Sequence, residues 1–318
     1  MHDVRLVRER LGELRDAMRR REALDALGPQ LDRCETLERE RRLLIQAVEE
    51  RKAARNASSQ EVARRKRAGE PTDDLIAQGR ALGEEIGRLE RELGDAEGQL
   101  EAILLEVPNV TAADVPAGDE SQNVVVRSWG EPRPSTGVRP HWEIAVEHGL
   151  FDLERASKVS GSGFAVFRGS GARLVRGLLN FFVDVHTREH GYEEIWPPVL
   201  VNRASMTGTG QLPKFEDDAY KVAGDDLFLI PTAEVPLTNL YRDEILDGSH
   251  LPKGFCAYTP CFRREAGSAG KDTRGVLRMH EFDKVELVRY CAPEQSDTEL
   301  TTLLGHADAA TGRVGRDD

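Results

Sequence analysis

Residues 261–286 read C-F-R-R-E-A-G-S-A-G-K-D-T-R-G-V-L-R-M-H-E-F-D-K-V-E, a dense set of fixed charges on a glycine-interrupted backbone. The flanking runs, 255–262 and 285–290, are rich in aromatic and β-branched residues and read as strands, so the whole is strand, long loop, strand. On this reading the strands hold Arg263, Glu265 and Glu286, with Arg263 and Glu265 two residues apart on one strand face. Gly267, Gly270 and Gly275 loosen the loop, which brings Lys271, Arg274 and Arg278 toward an arriving anion. Such a division suits a nucleotide phosphate, because guanidiniums stay charged and bind oxygens bidentately. A surface hairpin with a charged loop is the alternative that this stretch alone leaves open.

Working outward, residues 124–127, 164–167, 194–196 and 227–230 also read as strands, and 171–190 has helical apolar spacing. There is neither β-α-β alternation nor a G-x-G-x-x-G fingerprint, so an α+β fold with an antiparallel sheet flanked by helices is expected. The 318 residues suffice for about two domains. With 44 basic and 56 acidic residues the net charge is −12, which argues against a generally basic nucleic-acid binder. Any nucleic-acid contact must therefore come from local clusters. The start, M-H-D-V-R-L-V-R-E-R, has no apolar core of a signal peptide, and no apolar run approaches the ~18 residues of a membrane span. The expectation is a cytoplasmic protein without membrane attachment. Cys34, Cys256, Cys261 and Cys291 are scattered without a C-x-x-C pair, and read as packing residues rather than disulfides or metal ligands.

Leu82, Ile86, Leu89, Leu93, Ala96, Leu100 and Ile103 alternate steps of four and three, a heptad seam. Cys34, Leu37, Leu44 and Val48 mark a similar stripe on a helix from about residue 31 to 67. Between them R-A-G-E-P-T-D-D (67–74) supplies Gly69 and Pro71 to end one helix and Thr72 or Asp73 to cap the next. So short a link permits only an antiparallel hairpin, with helices of about 35 residues reaching ~50 Å. Near its tip Arg51, Lys52, Arg55, Arg64, Arg65, Lys66 and Arg67 meet only Glu61 within residues 51–67. They form either a solvated helical face or a phosphate-binding tip. The next segment, V-P-N-V-T-A-A-D-V-P-A-G-D-E-S-Q-N, has a linker's composition.

The 261–286 block resembles the second signature motif of class II aminoacyl-tRNA synthetases in its seryl-tRNA synthetase form. Three other stretches resemble the same family: G-Y-E-E-I-W-P-P-V-L-V (191–201) its first motif, M-T-G-T-G-Q-L-P-K-F (206–215) a seryl-enzyme segment, and P-T-A-E-V-P-L-T-N (231–239) its serine-binding stretch. The N-terminal hairpin resembles the family's tRNA-binding arm. The resemblance implies three parts: an arm domain over 1–108, a linker over 109–135 and a class II catalytic domain over 136–318. It implies that L-serine and ATP form seryl-adenylate, with Mg2+ sharing the phosphate charge, and that the seryl group passes to tRNA(Ser).

The same resemblance implies site residues. Arg263 would contact the reacting phosphate and is the catalytic choice; Arg264, Glu265, Arg278 and Phe282 would join it around ATP, Phe282 by stacking on adenine. Thr232, Ala233, Glu234, Arg263 and Glu286 would hold serine, and Arg51, Lys52, Arg55, Arg64, Arg65, Lys66 and Arg67 would meet tRNA. A homodimer across 191–201 is implied as well. Read without this context, T-A-E is an ordinary helix cap. His186-Thr-Arg-Glu189-His190 fits the H-x-x-E-H zinc pattern, but it sits within an apolar helix and no metal site is expected there. The sequence departs from the family after the point matching Leu304, where no third motif follows. The expectation is a catalytic domain incomplete on one side of the ATP site, and the second reading is an inactive fragment that binds tRNA or a coiled-coil partner.

Overall fold

The computed structural model describes residues 2–128, 130, 131, 134, 136–266 and 274–314. They divide into two compact units, Met1–Val126 and Arg127–Asp318.

The first unit consists of helices α1 (Val4–Arg20), α2 (Leu24–Ala68) and α3 (Asp73–Glu106). Helix α2 stops where Gly69 takes a left-handed φ of +72°, and the Gly69 and Glu70 amides close on the Lys66 and Arg65 carbonyls. Thr72 occupies the next N-cap position without a side-chain capping bond. Of the heptad seam, Ile86, Leu89, Ala96 and Leu100 are buried, while Leu82, Leu93 and Ile103 are half-buried. Cys34 and Leu37 of α2 pack with Ala96, Leu100 and Leu104 of α3 and with Val7 of α1. Helix α1 is a third member that the two-helix expectation omitted; its Leu14, Ala17 and Met18 pack with Leu31 and Val107. That stripe buries apolar surface which the hairpin alone would expose.

The second unit runs through α4 (His141–Glu147), β1 (Phe151–Asp152), α5 (Leu153–Ser160), β2 (Val166–Phe167), α6 (Ser170–Arg188), β3 (Glu193–Glu194), β4 (Leu200–Asn202), α7 (Arg203–Gly208), β5 (Leu227–Leu229), α8 (Glu234–Thr238), β6 (Lys253–Phe262), β7 (Glu281–Tyr290) and α9 (Ser296–Gly312). Its central feature is the ten-residue antiparallel pair β6–β7, in register Ala257 to Glu286, Thr259 to Lys284 and Cys261 to Phe282. Strand β3 joins the other edge of β6 in parallel, an exception to the expected antiparallel order. Strands β4 and β5, and β1 and β2, form separate antiparallel pairs.

Alternation along β6 and β7 sends side chains to two faces. On one, Ala233 and Leu237 pack with Phe255 and Ala257, backed by Val288 and Tyr290. On the other, Leu179 and Phe182 of α6 and Leu303, Ala307 and Ala310 of α9 surround a groove floored by the β7 segment 283–287. A neighbouring cluster of Val201, Met206, Leu212, Phe228, Ile230 and Val235 ties β4, β5, α7 and α8 together. Residues 124–127 do not form the expected strand: the valines are exposed, Val126 to 95%, with no pairing partner among the described residues. β propensity alone makes no ladder.

Candidate active site

Strand β7 places Phe282, Lys284 and Glu286 on one face at a spacing of two. Directly across stand Cys261, Thr259 and Ala257, all small and buried, so that face has room for a pocket. The P-T-A-E stretch crosses its end. Thr232 is buried and its hydroxyl is fully used: it donates to Glu286 Oε2 at 2.6 Å and accepts from Lys284 Nζ at 2.6 Å and from the Glu234 amide at 3.2 Å. Lys284 Nζ also lies 2.5 Å from Glu286 Oε2. Glu234, the first residue of α8, is exposed. Lost solvation and then the like charge of Glu286 push the carboxyl above its ordinary range, against the pull of Lys284.

Arg263 lies one residue beyond β6. Its amide extends the ladder by one bond to the His280 carbonyl, its Nε donates to the Pro231 carbonyl at 3.3 Å, and its guanidinium lies 5.0 Å from the centre of the Phe282 ring. Beyond it the chain leaves the sheet. The Arg264 amide bonds the Asp218 carbonyl and its side chain bonds the Asp217 carbonyl, so Arg264 is directed to the 216–218 turn. Glu265 has a left-handed φ of +51°. Contrary to the expectation from sequence, neither Arg263 nor Glu265 is held within a strand; β6 ends at Phe262 because the backbone turns to bond with Asp218 instead of continuing the ladder. Glu265 instead meets Arg278 at 2.9 Å, joining the two sides of the loop. Lys271, Gly267 and Gly270 lie outside the described residues, and Arg274 is exposed.

Some of these groups line a cavity of about 560 Å³, while Glu234, Arg264, Phe282, Lys284 and Glu286 are not part of its lining. Pro231, Thr232, Arg263, Glu265 and Arg278 line it together with Met206, Gln211 and Phe215 of the 206–215 segment and with Asp218. Three stretches that the sequence offered separately thus share one space. Ala233 does not line it; fully buried, it belongs to the core beneath α8. The sequence reading missed Lys284 and Asp218. Lys284 was visible in principle, being the middle member of a period-two series that begins at Phe282 and ends at Glu286. Asp218 carried no signal, since it acts through the loop fold, its Oδ1 accepting the Ala266 amide at 2.8 Å.

In the helical unit the tip cations have more partners than residues 51–67 provide. Helix α3 supplies Glu85 to Arg51 at 3.0 Å, Glu90 to Lys52 at 2.7 Å and Asp74 to Arg65 at 3.1 Å. Glu61 serves both Arg64 and Arg65, whose hydrogen bonds, Arg64 first, hold its carboxyl down to about 2. Arg55, Lys66 and Arg67 have no carboxylate within 4.0 Å among the described residues, and all three side chains are accessible.

The H-x-x-E-H histidines form a packed array. Buried His186 meets His190 with 3.0 Å between their Nδ1 atoms, the His190 and His306 rings stack at 4.2 Å, and the Tyr192 hydroxyl lies 3.0 Å from His306 Nδ1. Glu189 turns away into a bidentate pair with Arg313. Among the described residues no group of three or more His, Cys, Asp or Glu is arranged to hold a metal ion. Cys34, Cys256 and Cys261 are buried free thiols, and burial pushes Cys256 up to about 12. No helix among the described residues is long and apolar enough to cross a membrane.

Residues 1–111 match the seryl-tRNA synthetase N-terminal domain, and residues 214–315 match the tRNA synthetase class II core domain (G, H, P, S and T). A serine–tRNA ligase of Gemmatimonas aurantiaca is 58% identical over 315 residues, covering 99% of this chain and 74% of the relative. One from Carboxydothermus hydrogenoformans is 49% identical with the same coverage. Among solved structures, seryl-tRNA synthetase from Pyrococcus horikoshii complexed with ATP is 34% identical and superposes with a TM-score of 0.87 over 98% of this chain and 74% of that one. The cytoplasmic serine–tRNA ligase of Naegleria fowleri in complex with AMP is 26% identical, with a TM-score of 0.79 over 97% and 75%. The chain spans about three quarters of the length of these relatives.

Proposed function

The chain belongs to the seryl-tRNA synthetase family of serine–tRNA ligases, and from that premise we propose how its residues divide the work. Serine and ATP meet in the cavity bounded by Thr232, Arg263, Glu265 and Arg278. A serine carboxylate oxygen bonds to the α-phosphorus of ATP, the bond from that phosphorus to the bridging oxygen breaks, and pyrophosphate leaves. The carboxylate is ionised at neutral pH, so no general base is needed. Alignment and stabilisation of charge on the phosphate carry the step. A ribose hydroxyl of tRNA(Ser) then bonds to the seryl carbonyl carbon, its proton is lost, and AMP departs.

Arg263 is the catalytic residue on the α-phosphate, held by the Pro231 carbonyl and the Phe282 face. Phe282 takes the adenine, Arg278 the outer phosphates, and Glu265 positions Arg278. Arg264 contributes by fixing the loop rather than by reaching ATP. Magnesium fits as a companion of the ATP phosphates, since Mg2+ is commonly bound through one or two carboxylates and substrate oxygens. Thr232, Glu234 and Glu286 receive the serine ammonium and hydroxyl, and Ala233 anchors this stretch in the core. Acceptors that must be satisfied reject alanine by roughly 10⁴-fold or more.

Arg55, Lys66 and Arg67, exposed cations near the hairpin tip, contact tRNA phosphates, with Arg51, Lys52, Arg64 and Arg65 available by exchanging their carboxylate partners. A homodimer through 191–201 is supported by Trp196, which is 81% exposed beside a hollow of mixed character lined by Val175, Leu179 and Tyr258 together with Arg176, Asp184 and Glu194. Work on tRNA implies a cytoplasmic setting. The observation that carries the catalytic reading is the convergence of Met206, Gln211 and Phe215 with Pro231, Thr232, Arg263, Glu265 and Arg278 on one cavity. Serine-dependent ATP–pyrophosphate exchange tests it: the chain exchanges, Arg263→Ala loses at least 100-fold in kcat, and exchange undiminished in that variant refutes the assignment.

A further inference from the structure

We propose that Lys284 is a resident substitute for the substrate ammonium, so that serine enters by displacing the Lys284 side chain from Thr232 and Glu286. The inference rests on the serine-pocket reading above and adds to it a specificity-determining residue. Its basis is occupancy: Lys284 Nζ lies 2.6 Å from Thr232 Oγ1 and 2.5 Å from Glu286 Oε2, the acceptors assigned to serine. A lysine head and an α-ammonium are the same chemical group, a compact cation with three donors, so they compete for the same lone pairs. Thr232 already spends its proton on Glu286 and its lone pairs on Lys284 and the Glu234 amide. No acceptor capacity is left there for a second ammonium.

Electrostatics explains why a cation stays there in the free protein. Glu286 stands near enough to Glu234 for their like charges to repel one another. Lys284, within bonding distance of Thr232 Oγ1 and Glu286 Oε2, offsets that repulsion and keeps the acceptors aimed. Its side chain is 29% exposed, on a flexible stem directed to the pocket, so it can withdraw toward solvent without moving β7. The consequence is selectivity by exchange. A ligand with an ammonium replaces Lys284 and recovers its bonds, whereas an anionic hydroxy acid of the same size lacks that group and uses Lys284 in place.

Calorimetric titration of the 318-residue chain with L-serine and with glycerate, its hydroxy-acid counterpart, tests this. Because apparent affinity scales with the fraction of open pocket, Lys284→Met should tighten serine by roughly 10-fold or more. It should weaken glycerate, which loses its cation. A merely structural lysine would move both ligands in the same direction. Glu286→Gln separates the displacement from the pocket on which it depends. If it weakens serine while Lys284→Met leaves serine unchanged or weaker, the displacement inference is overturned and the pocket reading survives. If Glu286→Gln leaves serine binding unaltered, or neither the wild-type chain nor Lys284→Met binds serine, both are overturned. Lys284→Gln, which keeps a neutral donor toward Thr232 and Glu286, decides the matter if the methionine variant loses its folded circular dichroism.

Discussion

Lowering the pH should destabilise the Arg127–Asp318 unit through His186. This ring is 4% exposed, and burial, followed by the charges that His190 and His306 can carry, depresses its pKa to about 4 from 6.5. The Nδ1 contact with His190 needs one proton and one lone pair, so double protonation would set two donors against each other. The other groups around the array are Tyr192, Arg289 over its ring, Glu299 paired to Arg289, and the Glu189–Arg313 pair. Because the folded value lies below the unfolded one, the unfolded chain takes up the proton first as pH falls. Stability is full above about 6.5, is lost between there and about 4, and changes no further below. At pH 5.0 the unfolded ring has passed its pKa by about 1.5 units, which at about 1.36 kcal/mol per unit costs about 2 kcal/mol relative to pH 7.5. Urea unfolding followed by tryptophan fluorescence reads this, since Trp129, Trp142 and Trp196 all follow residue 126. The loss between pH 7.5 and 5.0 should be about 2 kcal/mol smaller in His186→Gln than in wild type. Equal pH slopes in the two proteins would refute the assignment, whatever their absolute stabilities.

Replacing Arg55, Lys66 and Arg67 together by glutamate should weaken tRNA binding and lower the slope of log affinity against log salt by roughly 0.7–0.9 for each phosphate that is no longer neutralised; an unchanged slope in filter binding argues against the tip. Gly171→Ala should cost about 1–3 kcal/mol in urea unfolding, because the added Cβ would lie 2.0 Å from the Leu150 carbonyl oxygen. Gly177→Ala in the same helix meets nothing within 4 Å and should be neutral or stabilising.

The parts of the fold legible in sequence are those with a local period. The seam through Ile86, Leu89, Ala96 and Leu100 follows from spacing, and Gly69 ends α2 because its left-handed φ is costly for other residues. Helix α1 escaped notice because its buried Leu14, Ala17 and Met18 gain meaning only from Leu31 and Val107, distant in sequence. Residues 124–127 misled for the complementary reason: valines favour a strand, but among the described residues no partner pairs with them. The site divides along the same line. Thr232, Arg263, Glu265 and Arg278 could be named from motifs, and they do line one cavity. That Arg264 would turn to Asp217, that Ala233 would fall into the core, and that Arg51 and Lys52 would find Glu85 and Glu90 all depend on interactions across the chain. Periodicity carries no information about those interactions.

The charges on β7 also determine the register that makes a site possible. One face carries Phe282, Lys284 and Glu286 over the small residues Cys261, Thr259 and Ala257; the other turns Val285 and Leu287 toward the apolar groove of α6 and α9. A slip of one residue would exchange the faces. The Lys284 and Glu286 side chains would then turn away from Thr232 toward Leu179, Phe182, Leu303 and Ala307 across the groove that residues 283–287 already floor, while Val285 and Leu287 would take their places beside Thr232. Moving such charges into apolar surroundings costs several kcal/mol for each one left without its partners. The glutamate that would meet serine and the lysine that serine would displace therefore also act against misregistered pairing. Removing one of them should affect pairing less than removing both, because a single remaining charge still penalises the slipped arrangement.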